Sequence, residues 1–158
     1  MSGAFKLTGL DGVLDLLQSL PAEVVSKGGG PVRTSLRKGA LVIKNEAAMN
    51  LARVTEGDDS TGLLLANLVV TRGRKLGATK GERYLIRVRR KSYNRQGVSV
   101  STAQTGRFLE YGTEDQPAEP WLRPAFAAKA EQAIRTTERE LVIALDRVVK
   151  KLARSARR

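Results

Sequence analysis

Residues 84–100 read YLIRVRRKSYNRQGVSV. Tyr84, Ile86 and Val88 alternate with Leu85, Arg87 and Arg89, so one face is apolar and the other wet and basic. That is the period of a half-buried strand, not of a helix. SYNRQG supplies a turn, after which Val98 and Val100 alternate with Ser99 and Ser101 in a further strand. Upstream, the β-branched later half of LLLANLVVTRGR predicts another strand, and GATKGER joins it to Tyr84 as a turn or flexible loop. These connections are too short for crossover helices, so the three runs are expected to pair as an antiparallel meander. Phe108–Tyr111 either extends that sheet or forms a short helical turn.

Helical patterns flank the strands. Val32, Leu36, Ala40, Ile43, Ala47, Leu51 and Val54 recur at steps of three and four, one apolar helical face. Pro31 suits its first position, and Gly28, Gly29 and Gly30 predict a break before it. EGDDSTG ends it. Further upstream, Val13, Leu14, Leu17 and Leu20 give a short amphipathic pattern that Pro21 closes. From Pro124 the chain is helical again. Phe126, Ala130, Ala133, Leu141, Ala144, Leu145, Val148 and Leu152 form its stripe, Thr137 fills the remaining position, and Lys129, Arg135, Arg139 and Arg147 lie opposite.

The expected architecture is therefore α+β, a small antiparallel β-sheet packed against a long central helix and a long C-terminal helix. One domain spans 1–158: a short N-terminal helix at 11–20, a long helix at 31–54, sheet over 66–111, a proline-rich loop at 112–123, a helix at 124–153 and a frayed basic tail at 154–158.

Composition bounds the function. The chain has 158 residues, enough for one core that buries about 70% of the unfolded surface. Lys and Arg number 28 against 16 Asp and Glu, a net charge of +12 that favours polyanionic surroundings or an acidic partner. There is no cysteine, so there are no disulfides or thiolate metal sites, which fits a reducing cytoplasm. There is also no histidine, which removes the commonest general base and metal ligand together. No cofactor site is read in the sequence. The longest apolar run, Leu63–Val70, is broken by Asn67 and too short to span a bilayer, and the first residues do not read as a signal peptide. A soluble protein, made in the cytoplasm and not associated with a membrane, is expected.

Catalytic patterns are weak. The adjacent acids Asp58-Asp59 and Glu114-Asp115 sit in loop-like stretches without a histidine to complete a site, and read as solvated loop acids. GRKLGATKG lacks the Gly-Lys-Ser/Thr of a phosphate-binding loop. No serine or threonine has a base partner, so no enzyme is expected. The basic segment 72–95 is more informative. Arg72, Arg74, Lys75, Lys80, Arg83, Arg87 and Arg89 face only Glu82 as local counter-charge. They could line a nucleic-acid backbone, meet an acidic protein rim, or simply be solvated.

Residues 106–126, GRFLEYGTEDQPAEPWLRPAF, hold three prolines and the only tryptophan. Pro117, Pro120 and Pro124 push the residues before them towards extended geometry, which stiffens the loop. Trp121 and Leu122 precede the last helix, with Pro124 placed as its first residue. Either they staple the helix start within one subunit, or they form an arm that docks on a neighbour with Trp121 as anchor.

FLEYGT followed by PWLRPA resembles the ending of the neck and tail-completion proteins of long-tailed, siphovirus-like bacteriophages, small proteins of the head–tail junction. The matching residues are Phe108, Glu110, Tyr111, Gly112, Thr113, Pro120, Trp121, Leu122, Pro124 and Ala125. Thr61, Gly62 and Leu64 resemble a Thr-Gly-x-Leu segment of that family, although EGDDS stands where a proline-bearing turn is usual. The resemblance implies a structural virion protein, made in the host cytoplasm. It would form a ring of identical copies, sixfold by analogy with tails, around the DNA channel. Adjacent partners would be neck or connector proteins and tail-tube or tail-terminator proteins, with the basic segment towards DNA or an acidic ring. The motif residues would then serve subunit contacts. A free nucleic-acid-binding protein using Arg72–Arg95 is the rival reading, and an inhibitor or chaperone of an acidic partner fits charge alone.

Overall fold

A computed structural model describes residues 30–56, 62–74, 82–95 and 97–155, the side chains of residues 152 and 155 excepted. In chain order the elements are α1 (Gly30–Val54), α2 (Leu63–Ala66), β1 (Leu68–Arg72), β2 (Tyr84–Val88), β3 (Ser92–Arg95), β4 (Val98–Ser101), α3 (Thr102–Tyr111) and α4 (Leu122–Ser155). The fold is α+β, with two small antiparallel sheets packed against the long helices α1 and α4. The helix expected at 11–20 and the glycine break at Gly28-Gly29 lie outside the described residues.

α1 and α4 run antiparallel. Asn50 Nδ2 donates to the Trp121 carbonyl at 3.2 Å, Lys129 pairs with Glu46 at 3.7 Å, and Lys38 binds Glu140. The buried face of α1 is Ser35, Gly39, Ile43, Ala47 and Leu51, spaced four apart. This corrects the expected stripe over its first half, where Val32, Leu36 and Ala40 are only half-buried. The reason is distance between backbones. A Cβ on Gly39 would overlap the Thr137 hydroxyl and lie 2.7 Å from the Ala133 carbonyl oxygen, so small residues form the seam. The hydroxyls left inside it bond back to their own helices: Ser35 Oγ donates to the Pro31 carbonyl and Thr137 Oγ1 to the Ala133 carbonyl, each at 2.8 Å.

On α4, Ala125, Ala133, Leu141 and Leu145 are buried, as is Trp121 just before it. Phe126, expected on this stripe, is 47% exposed, because the seam starts with Trp121 and continues four residues later at Ala125. The helix begins at Leu122, so Pro124 lies inside the first turn, where its missing N–H costs no helical bond. Arg154 is helical, not part of a frayed tail.

The meander is replaced by two separate hairpins. β1 pairs with β2 as expected, Leu68 opposite Val88 and Arg72 opposite Tyr84. Leu68 and Val88 are buried, and they join Ala47, Leu51, Trp121 and Ala125 in one core cluster where the hairpin covers α1. Each such buried aliphatic side chain contributes about 1.5–3 kcal/mol. The SYNR of the expected turn is instead strand β3, which pairs with β4, Ser92 opposite Ser101. A tighter turn makes this local pairing: Gly97 has φ +83° and donates its N–H to Asn94 Oδ1 at 2.9 Å. Phe108–Tyr111 belongs to α3, so the sheet region ends at Ser101. Ser101 caps α3, its Oγ accepting from the Gln104 N–H at 3.3 Å.

Candidate functional site

The motif residues of 106–126 converge on one joint between α3 and α4. Glu110 is 4% exposed. Its Oε2 accepts from the N–H groups of Trp121 at 2.9 Å and Leu122 at 2.8 Å. Its Oε1 accepts from the Arg123 N–H at 3.0 Å and from Arg123 Nε at 2.8 Å. Arg123 Nη2 also donates to the Glu110 carbonyl at 2.6 Å. A carboxylate supplied by α3 thus satisfies the free N–H groups at the start of α4 and sits at the positive end of its dipole. Burial alone would push the Glu110 carboxyl up, but the bonds from Leu122, Trp121 and Arg123 outweigh it and hold the group below the ordinary carboxylate range.

Trp121 fills the core behind this cap. It is 3% exposed, and its Nε1 donates to the Gly106 carbonyl at 3.0 Å. Gly106 itself packs closely on the β2 side chain beside the ring: a Cβ there would stand 3.2 Å from Val88 Cγ2, while the Trp121 ring lies at ordinary contact distance. Trp121 is therefore packed within its own chain and is not available as an anchor for a neighbour. This settles the two readings of the loop in favour of the internal one for that side chain.

The loop between the helices is fixed at both ends. Gly112 has φ +76°, and a Cβ there would meet the Gln116 carbonyl oxygen and the Ala118 nitrogen at 2.9 Å. The Thr113 N–H donates to the Gln116 carbonyl at 2.9 Å, and the Glu119 N–H to the Leu109 carbonyl at 2.8 Å. Thr113, Glu114, Asp115, Pro117, Glu119, Pro120 and Pro124 are exposed.

The remaining motif residues divide by side. Ala125 is fully buried and Leu122 half-buried at the core. Gly62, with φ +65°, starts α2, and Leu64 packs on the core beside it. Thr61 lies outside the described residues. Phe108 and Tyr111 point outward, 40% and 66% exposed, and the Arg123 guanidinium covers the Tyr111 ring at 5.0 Å. With Arg90, Gln104, Arg107 and Gly112, these two aromatics line an open groove of about 520 Å³. Sequence reasoning missed this face. Ser101 as a cap, followed by Gln104, Arg107, Phe108 and Tyr111 at helical spacing, is the signal that would have found it.

Among the described residues, the basic set is divided between the two faces of the β1–β2 hairpin. Arg72 lies on the Tyr84 side of the hairpin and pairs with Glu82, a bond that raises its pKa. Arg83 is half-buried, whereas Arg74 is exposed. Arg87 and Arg89 are exposed, and Arg87 Nε donates to Thr71 Oγ1 at 3.2 Å across the outer face. Lys75 and Lys80 lie outside the described residues. Thr102, unremarked in the sequence, ties this hairpin to α3. It is fully buried, and its Oγ1 donates to the Arg89 carbonyl at 2.6 Å and accepts from the Lys91 N–H at 2.9 Å.

Among the described residues, no group of three or more His, Cys, Asp or Glu is placed to hold a metal ion, and no helix is long and apolar enough to cross a membrane. No protein-family model, curated protein or solved structure matches the chain.

Proposed function

We propose that this protein is a structural virion subunit of a long-tailed phage, forming a ring of identical copies at the head–tail interface around the DNA channel. The copies would meet neck or connector proteins on one side and tail-tube or tail-terminator proteins on the other, and the chain would act by assembly, not catalysis.

The observation that carries this reading is the joint built on Glu110. The residues that make the sequence resemble head–tail proteins are scattered over eighteen positions, from Phe108 to Ala125. In the fold they act as one unit: Glu110 caps α4, Trp121 fills the core, Gly112 permits the bend, and Phe108 and Tyr111 are left outside. A motif that is a physical joint supports the resemblance better than scattered identities do.

The test uses the exposed half of the joint, so that folding is spared. The Phe108→Ala/Tyr111→Ala variant is expected to give a folded chain by circular dichroism, with unjoined heads and tails accumulating when it replaces the wild type during infection. Normal yields of complete particles from that variant would refute the reading.

A free nucleic-acid-binding protein is the second reading, favoured by the exposure of Arg87, Arg89, Arg90 and Lys91. It requires tight binding of naked duplex that falls steeply with salt, whereas a ring subunit requires only weak binding by isolated copies at physiological salt.

A further inference from the structure

The groove on α3 and the loop that follows it are complementary in charge, and among the described residues neither is neutralised. Arg90 and Arg107 stand in the groove, and among the described residues neither makes an ion pair. In the loop, Glu114, Asp115 and Glu119 are exposed and likewise make none. Three unpaired acids within six positions are unusual in a chain of net charge +12.

The groove lies along one face of α3, and the loop leaves from the C-terminal end of that helix. Gln104, Arg107, Phe108 and Tyr111 share one helical face, at spacings of three and four, and line the groove. The other face holds Gly106, whose carbonyl binds Trp121, Leu109, whose carbonyl receives the returning loop, and buried Glu110. A patch and its complement that are different surfaces of one chain make a heterologous contact between copies, which repeats head to tail and closes a ring where the rotation allows. The loop is also held in shape before any contact, by Pro117, Pro120 and its two backbone bonds, so docking costs little ordering entropy.

We propose that the acidic loop Thr113–Glu119 of one copy docks in the groove of the next, its carboxylates on Arg90 and Arg107 and its Pro117 on Phe108 and Tyr111. Arginine forks pair carboxylates in a fixed geometry, so the contact would set register as well as affinity. The proposal rests on the ring reading only in taking the occupant to be a second copy of this chain.

The chain has no cysteine, which makes a clean cross-linking test. The full-length Gln104→Cys/Asp115→Cys variant, oxidised and run on a denaturing gel, is expected to give a ladder of multimers that neither single variant gives. In parallel, Arg90→Glu/Arg107→Glu and Glu114→Arg/Asp115→Arg should each weaken self-association, followed by sedimentation, more than about tenfold. Mixing the two should restore pairing between them. Self-association that persists without a ladder and resists both charge reversals overturns this contact and leaves the ring reading standing. A wild type that stays monomeric at every concentration, with no ladder, overturns both. Binding of a short DNA duplex that is lost in Arg90→Glu/Arg107→Glu, again with no ladder, overturns the proposal in favour of a nucleic-acid groove.

Discussion

Replacing Glu110 with glutamine keeps the shape of the cap and changes its chemistry. Each carboxylate oxygen accepts two bonds, Oε2 from the Trp121 and Leu122 N–H groups and Oε1 from the N–H and Nε of Arg123. An amide has one oxygen, so whichever way the side chain of Glu110→Gln is turned, its NH₂ faces two donors and two bonds are lost. Each donor left unsatisfied costs about 1–3 kcal/mol, and the partly exposed Arg123 head recovers some of that from water, so the expected loss is about 2–4 kcal/mol. For a domain of this size that lowers Tm by roughly 4–16 °C. Urea unfolding followed by circular dichroism at pH 7 should show a lower midpoint with an unchanged slope. The loss should also depend on pH in a defined direction. The folded-state pKa of Glu110 lies below that of the unfolded chain. Its contribution is therefore fully present above the unfolded value of about 4.3, and is lost as pH falls through the lower, folded value. Wild type and variant should converge in stability at acid pH. A difference below about 0.5 kcal/mol at pH 7, the size of an ordinary surface substitution, would refute the capping role.

Two further outcomes follow from the packing. Gly39→Ala should destabilise by about 1–3 kcal/mol in urea unfolding, and adding Thr137→Ala should recover only part, because the Ala133 carbonyl oxygen at 2.7 Å remains in the way. Trp121→Ala should cost about 3–5 kcal/mol, whereas Tyr111→Ala, at a ring 66% exposed, should stay within about 0.5 kcal/mol. Similar values for those two would mean that the division of the motif into inner and outer halves is wrong.

Much of the fold was legible because it is local. The alternation of Tyr84, Ile86 and Val88 gave β2 its inner face, and the helical periods gave α1 and α4. What failed did so for identifiable reasons. Hydrophobicity placed Val32, Leu36 and Ala40 on the seam of α1, whereas close approach of two backbones selects Ser35 and Gly39, which hydropathy cannot rank. The meander does not form because a short connection does not by itself choose which strands pair. Asn94 and Gly97 close a two-stranded hairpin of their own, so β4 finds its partner in β3 and leaves β2.

The site was half legible, and the missing half is the non-local one. Glu110 was visible as part of a motif, but its role depends on N–H groups eleven to thirteen residues away, a distance at which no periodicity speaks. Trp121 before a helix suggested both a staple and an arm, and only burial could decide between them. Arg123 connects the two halves of the resulting picture. Its Nε holds the buried carboxylate, its Nη2 holds the Glu110 carbonyl, and its guanidinium covers the exposed Tyr111 ring. The surface that a neighbour would meet is therefore tied to the same side chain that braces the joint. A groove wall braced from the buried joint in this way has less ordering entropy to lose on contact, which is what a subunit would need if copies are to register on one another.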